Sequence, residues 1–302
     1  MSTPAMPTKQ LPVFSISLIS LVFVAAYFVL RSLPDAQCGF LHYEEVVNAD
    51  GEIEFCATNH AGFLDLSRLE YPLQMRVLTT EVTQLANPVD VTLVLETSGG
   101  TPIAPHELAL THTKKMHVMV IDPAMEDYHH VHPEPEGLNG RYHFSFTPQR
   151  AGTYRVFTEI VPVQTRRQLI ATGEIEVNGL PSEPRFERNT ESIIDGVRFR
   201  LGGVPERLKT GRDYRFSLEM AAADGGPIEL EMIMGAKGHM VAFDQAGRGF
   251  AHMHPEDSVL GAANSDDLAF LFNVPNPGWY RLFAQIQVNG HDMYGHFDLL
   301  VD

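Results

Sequence analysis

Apolar positions in this chain recur with a period of two, in short runs broken by Gly, Pro, Asn and Asp. Val89 to Leu95, Arg141 to Phe146, Tyr154 to Ile160, Tyr214 to Met220 and Tyr280 to Val288 all follow this rule. Alternation puts every second side chain on one face of a strand, and many such runs at regular spacing predict an all-β sandwich architecture. One segment departs from it: Leu11 to Leu30 is uncharged and apolar throughout. As a helix it would extend about 30 Å, the thickness of a bilayer's hydrocarbon core. No Ala-x-Ala-like exit follows it, so it reads as an uncleaved transmembrane anchor rather than a removed signal. No later run is apolar enough to re-enter a membrane. The expected location is therefore a cell membrane, single-pass, with the rest in the periplasm or outside the cell.

The Gly/Pro-rich stretch Asn178 to Pro184 marks a boundary. The organisation expected is an anchor at 1–33, a small Cys/His segment at 34–70, a first β-sandwich at 71–180 and a second at 185–302. The two long stretches are copies of each other. Glu107 to Pro133 aligns without a gap on Glu229 to Pro255, which superposes His117, Asp122, His130, His132 and Pro133 on His239, Asp244, His252, His254 and Pro255. The flanks agree, since Gly152-Thr-Tyr-Arg-Val-Phe157 mirrors Gly278-Trp-Tyr-Arg-Leu-Phe283. A tandem duplication is the reading.

Each copy places a His-x-His pair on a short strand, so two imidazoles share one face while Val131 or Met253 points to the other. His117 or His239, on the preceding strand, can join that face and give two or three imidazole ligands at one edge of each sandwich. Imidazole suits zinc and copper, and nearby thioethers would select copper(I). Methionines lie close to both sets in sequence, and Met234 stands where the first copy has His112. The second copy adds His291, Met293 and His296 after an Asn289-Gly290 turn, so the stronger site is expected there. Copper is the expected metal, with zinc as the alternative. The competing reading is a structural or interaction module whose histidines are hydrogen-bonded and hold no metal.

Composition narrows the function classes. A net charge of −16, from 38 acidic and 22 basic residues without a polybasic block, argues against nucleic-acid binding. Neither repeat contains cysteine, which excludes a blue-copper thiolate site. Nucleophile-elbow, zinc-protease and phosphate-loop motifs are absent, so no enzyme activity is expected.

The two cysteines fall in the segment before the sandwiches, as Cys38 with His42 and Cys56 with His60, and could hold zinc or copper. The alternative is a Cys38–Cys56 disulfide. With Cys38-Gly39, Phe55-Cys56, His60, Phe63 and Tyr71, the segment resembles the YHS/TRASH-type metal-binding module, departing from it in having His60 where that family has cysteine. The Gly-His-x-Val run, the His-x-His-Pro step and the Pro-Gly-x-Tyr-Arg-Leu-Phe strand make the two β units resemble exported cupredoxin-like or Ig-like sandwiches, including YtkA/FixH-like domains. That resemblance implies metal handling beside a metal efflux or metalloenzyme-assembly partner.

Overall fold

The computed structural model of the protein describes residues 13–32, 43–47, 53–57, 62–67, 71–79, 83–226, 228–234, 236–255 and 268–302. Residues 1–39 and 40–302 form two separate units. In the first, the expected apolar segment is an α-helix, Val13–Ser32, whose described side chains run from Ile19 to Val29 and are exposed. Among the described residues no helix is long and apolar enough to cross a membrane.

The second unit is built almost entirely of strands, and its two halves repeat one strand order. In the first half, Leu73–Thr79, Val89–Thr97, Arg141–Phe146 and Glu134–Pro135 form one sheet; Leu169–Val177, Gly152–Ile160, Met116–Ile121 and Tyr128–Val131 form the other. The second half has Glu191–Ile194, Val197–Gly202, Tyr214–Ala222 and Leu268–Phe272 in one sheet. Its other sheet runs His291–Val301, Gly278–Val288, His239–Asp244, Gly249–Met253 and Leu64–Asp65. Met116–Ile121 and Tyr128–Val131 occupy the same places in their sheet as His239–Asp244 and Gly249–Met253 in theirs, as a duplication requires. Each pair of sheets encloses its own apolar core, around Val91, Leu93, Val118 and Tyr154 in one half and Phe199, Phe216, Met240 and Phe270 in the other.

The segment ahead of the sandwiches is woven into both. Tyr43–Val47 and Ile53–Ala57 form an antiparallel hairpin, and the second of these strands pairs in parallel with Leu110–Thr111. Leu64–Asp65 extends the second sandwich's sheet at Gly249–Met253, and Phe63 packs its ring edge-on to Tyr280 at 5.4 Å.

A third apolar cluster joins the halves. Met119, Ile121, Tyr128 and Phe157 of the first sandwich meet Val241, Phe243, Phe250 and Phe283 of the second, with Tyr128 stacked on Phe283 at 4.8 Å. The sheets that contain the repeated histidines are thus packed outer face to outer face. Both contributing strands, Met116–Ile121 and His239–Asp244, are buried along their whole length. Paired arginines close the contact reciprocally. Arg155 donates to the carbonyls of Ala246 and Gly247 in the second sandwich. Its counterpart Arg281 donates to those of Ala124 and Met125 in the first, at 3.4 and 3.0 Å. Gly247 meets Arg155 with φ +58, a left-handed turn where an added Cβ would strike the guanidinium.

Candidate metal centre

In the strand Met116–Ile121, the side chains of Met116, Val118 and Val120 fill the first core, while Met119 and Ile121 face the second sandwich. Period two therefore turns His117 towards the interface. The same logic turns His239 outward beside Val241 and Phe243, since Met240 and Ala242 face the second core. The neighbouring strands pair Met119 with His130 and Val241 with His252, so the His-x-His residues face the interface too. The sandwiches were expected to hold separate sites at their own edges. Instead, His117, His130, His132, His239, His252 and His254 meet in one place, between the two copies, with ring centroids 4.5 to 6.2 Å apart in the closer pairs. His112 joins them. Its backbone, at φ +50 in a tight hairpin between Thr111 and Lys114, lays its ring on His254 with centroids 3.5 Å apart.

The hydrogen bonds define which nitrogens are free. His117 Nε2 lies 2.8 Å from the Thr111 carbonyl, His130 Nδ1 2.9 Å from Gln285 Oε1 and His252 Nδ1 3.2 Å from Glu159 Oε2. Carbonyl and carboxylate oxygens only accept, and the Gln285 amide nitrogen already donates to Asp292 and Tyr294. Each ring thus keeps its proton on the nitrogen facing oxygen and turns a lone pair inward. His117 Nδ1 and His130 Nε2 are 3.3 Å apart, and His132 Nε2 is 3.3 Å from the same His117 Nδ1. Two lone pairs cannot hydrogen-bond to each other, so the His117–His130 contact is repulsive unless a cation sits against it. One ligand atom each from His117, His130 and His252 lies within 4.8 Å of the others. Five more buried ring nitrogens of this cluster or its edge, His112 Nε2, both of His239, His252 Nε2 and His254 Nε2, have no hydrogen-bond partner among the described residues.

Electrostatics keep six of the rings neutral. Burial, and then the proximity of His252, hold His112 down at about 3. Burial and neighbouring His117 hold His132 down at about 2. Burial pushes His117, His130, His239 and His254 well below the ordinary histidine value. Neutral imidazole is the form that ligates metal.

Glu159 and Gln285 were not anticipated from the sequence. They occupy equivalent positions, opposite His117 and His239 on the adjoining strands, and each holds a histidine of the other copy. Glu159 is 5 % exposed and, among the described residues, meets His252 and no lysine or arginine.

The remaining expected ligands lie elsewhere. His291 and His296 are exposed, and Met293 packs against the second core. Met116, Met240 and Met253 also fill the cores, because each alternates with a histidine and so takes the opposite face. The expectation of a methionine-rich site in the second copy does not hold, and with it goes the sulfur argument for copper. Met234 occupies the turn equivalent to that of His112, also at φ +50. Cys38 and His60 lie outside the described residues, and of Cys56 only the backbone, in Ile53–Ala57, is described. A groove of about 570 Å³ beside Arg155, Gly173 and Arg248 contains none of the histidines.

One protein-family description, Domain of unknown function (DUF8832), matches the sequence twice, at residues 73–178 and 191–302. The chain belongs to the DUF8832 family. Its two matches are the two sandwiches, so the repeated histidines and their cross-copy partners all lie within DUF8832 units. No curated protein matches the chain. Among solved structures, fibronectin(III)-like modules of Clostridium thermocellum CbhA align with 75 % of this chain and 94 % of theirs, at 8 % identity and a TM-score of 0.23. The CARDB domain of the Pyrococcus furiosus PF1109 protein, solved in complex with di-metal ions, aligns with 35 % of this chain and 87 % of its own, at 18 % identity and 0.21. Salmonella alpha-2-macroglobulin aligns over 79 % of this chain and 16 % of its own, at 14 % identity and 0.25. Scores this low carry no functional weight, and the sandwich architecture rests on the strand order above. Nothing in these comparisons supports the resemblance to YHS/TRASH modules or to YtkA/FixH-like domains.

Proposed function

We propose that this protein binds copper between its two sandwiches, through His117 Nδ1, His130 Nε2 and His252 Nε2, with His132 Nε2 beside them, and that it buffers or delivers the metal. The observation that supports the reading most is the set of inward lone pairs, each fixed by an oxygen acceptor behind its ring. This is the arrangement by which proteins orient imidazole ligands, and a purely hydrogen-bonded cluster would leave no such set unmatched. Charge favours copper(I) within the imidazole-binding metals. Among the described residues buried Glu159 has no lysine or arginine against it, so with neutral histidines a monovalent ion makes the centre neutral overall, whereas a divalent ion leaves a net positive charge in an apolar interface. Zinc is the second reading, because its usual coordination number of four matches the three histidines plus His132.

As part of this proposal the sandwiches act on the periplasmic or outer side, with a metal efflux or metalloenzyme-assembly protein as partner; the expected transmembrane anchor is not carried into it, because among the described residues no helix is long and apolar enough to cross a membrane.

Copper(I) and zinc titrations of the full chain against a chromophoric chelator test the assignment. Copper(I) at 100 times its Kd is expected to stabilise the fold by about 2.7 kcal/mol. Glu159→Leu, which removes the oxygen behind His252, is expected to weaken binding about 10- to 100-fold, as loss of a residue that orients a ligand does. A His117→Ala/His252→Ala double variant that still folds, by circular dichroism, yet binds copper and zinc like the wild type would overturn the centre. Tighter retention of zinc than of copper would decide for the second reading.

A further inference from the structure

The four imidazoles assigned to the metal are not held alike. His117, His130 and His252 each rest a ring nitrogen on an oxygen, at 2.8, 2.9 and 3.2 Å, and their side chains are almost wholly enclosed. His132 is half-buried, and the only hydrogen-bonding atom its ring meets among the described residues is His117 Nδ1, 3.3 Å from its Nε2. It stands one residue past the last pair of its ladder, Val118 with Val131, whereas the other three lie within ladders. Its neighbours leave its faces clear: the His117 ring meets it at 86° and the His130 ring at 55°, and among the described residues no ring stacks on it.

The equivalent position in the second copy is closed. His254 also stands one residue past its strand, Gly249–Met253, but His112 lies flat on it, with centroids 3.5 Å apart and planes at 17°. The turn residue that corresponds to His112 is Met234, which has no ring to stack, so the duplication leaves one of two equivalent positions capped and the other uncapped. We infer that His132 is the transfer ligand of the centre, the imidazole through which copper(I) enters and leaves the three enclosed ones. This rests on the copper reading and gives His132 a part in exchange rather than in holding. An ion cannot cross an apolar interface bare, because a buried charge without ligands is too costly. Copper(I) accepts two or three nitrogen ligands, so it can sit first between His132 Nε2 and His117 Nδ1, then bond to His130 and His252 before its bond to His132 breaks. Each step exchanges one neutral imidazole for another, and no proton or electron changes hands. An oxygen behind a ring fixes its direction and suits retention. A ring without that support can turn outward and back, as exchange requires.

Stopped-flow exchange of copper(I) between the full chain and a chromophoric chelator, under reducing conditions, tests this. His132→Ala is expected to slow uptake and chelator-driven release together by about tenfold, equivalent to about 1.4 kcal/mol on each barrier, and to leave the Kd within about twofold of wild type. Free imidazole in the buffer is expected to restore both rates by occupying the space the side chain vacates. His254→Ala should change neither rate. Faster release with weakened affinity in His132→Ala would make His132 a fourth holding ligand, which overturns the inference and leaves the centre in place. Wild-type rates in His132→Ala, or an equal slowing by His254→Ala, would overturn it in the same way. No copper uptake by the folded wild-type chain overturns the centre itself, and the inference with it. Melting curves of the metal-free variants identify any that fail to fold, and there His132→Asn, which removes the ligating nitrogen but keeps a polar side chain, replaces alanine.

Discussion

Metal-free protein is expected to lose about 3 kcal/mol of stability between pH 6.5 and pH 5 from His112 and His132 alone. Both folded values, about 3 and about 2, lie below the ordinary value of 6.5. Well above pH 6.5 each histidine is neutral folded and unfolded, and contributes nothing to the pH dependence. Below it the unfolded chain takes up protons that the folded chain refuses, so the free energy of unfolding falls as pH falls. Each residue contributes about 1.4 kcal/mol per pH unit until its folded value is passed. His117, His130, His239 and His254 are shifted in the same direction and steepen the fall. Carboxylates titrate lower, which leaves the interval from pH 6.5 to 5 to the histidines. Urea denaturation at intervals across that range measures the slope. His132→Asn should reduce it by about 1.4 kcal/mol per pH unit, and a flat profile would refute the neutral cluster.

Arg281→Ala is expected to cost about 3–5 kcal/mol, the penalty for stranding a buried charge. Its guanidinium bonds Asp298 through Nε and Nη2, at 2.6 and 2.7 Å, with both side chains under a tenth exposed. It also binds the Arg185 carbonyl in the connection between sandwiches and the two carbonyls of the first sandwich. Alanine removes all of these and leaves Asp298 unneutralised. Arg155→Ala is expected to cost under about 1 kcal/mol, since Arg155 is more open to water and strands no buried acid. Replacing both members, Arg281→Met with Asp298→Leu, should recover most of the loss. Equal effects of the two alanine changes would show that the charge pair is not what distinguishes the clamps.

The sandwiches were legible in the sequence because alternation survives wherever one face of a strand meets water. Arg141–Phe146, with inward Tyr142, Phe144 and Phe146, is an example. The repeat was legible because twenty-odd residues around the histidines carry no insertion. How the copies meet was not. In His117-Val-Met-Val-Ile121 and His239-Met-Val-Ala-Phe243 both faces are buried, so alternation disappears and sequence alone does not say which face meets its own core. The loss of alternation was itself the available signal, since an antiparallel sheet with no polar face must be covered on both sides. Methionine was misleading for the opposite reason. Met240 and Met253 adjoin the histidines in sequence, and adjacency along a strand means opposite faces.

Because both halves of the centre lie on one chain, its assembly is intramolecular. A connection of about a dozen residues between Val177 and Glu191 holds the two sheets at an effective concentration in the millimolar range. The ligand set therefore reassembles at any dilution, whereas the same interface formed by two separate chains would come apart as protein became scarce. A site built across two domains keeps its affinity in dilute protein only if it is independent of meeting a second molecule, and covalent fusion of the two copies supplies that independence.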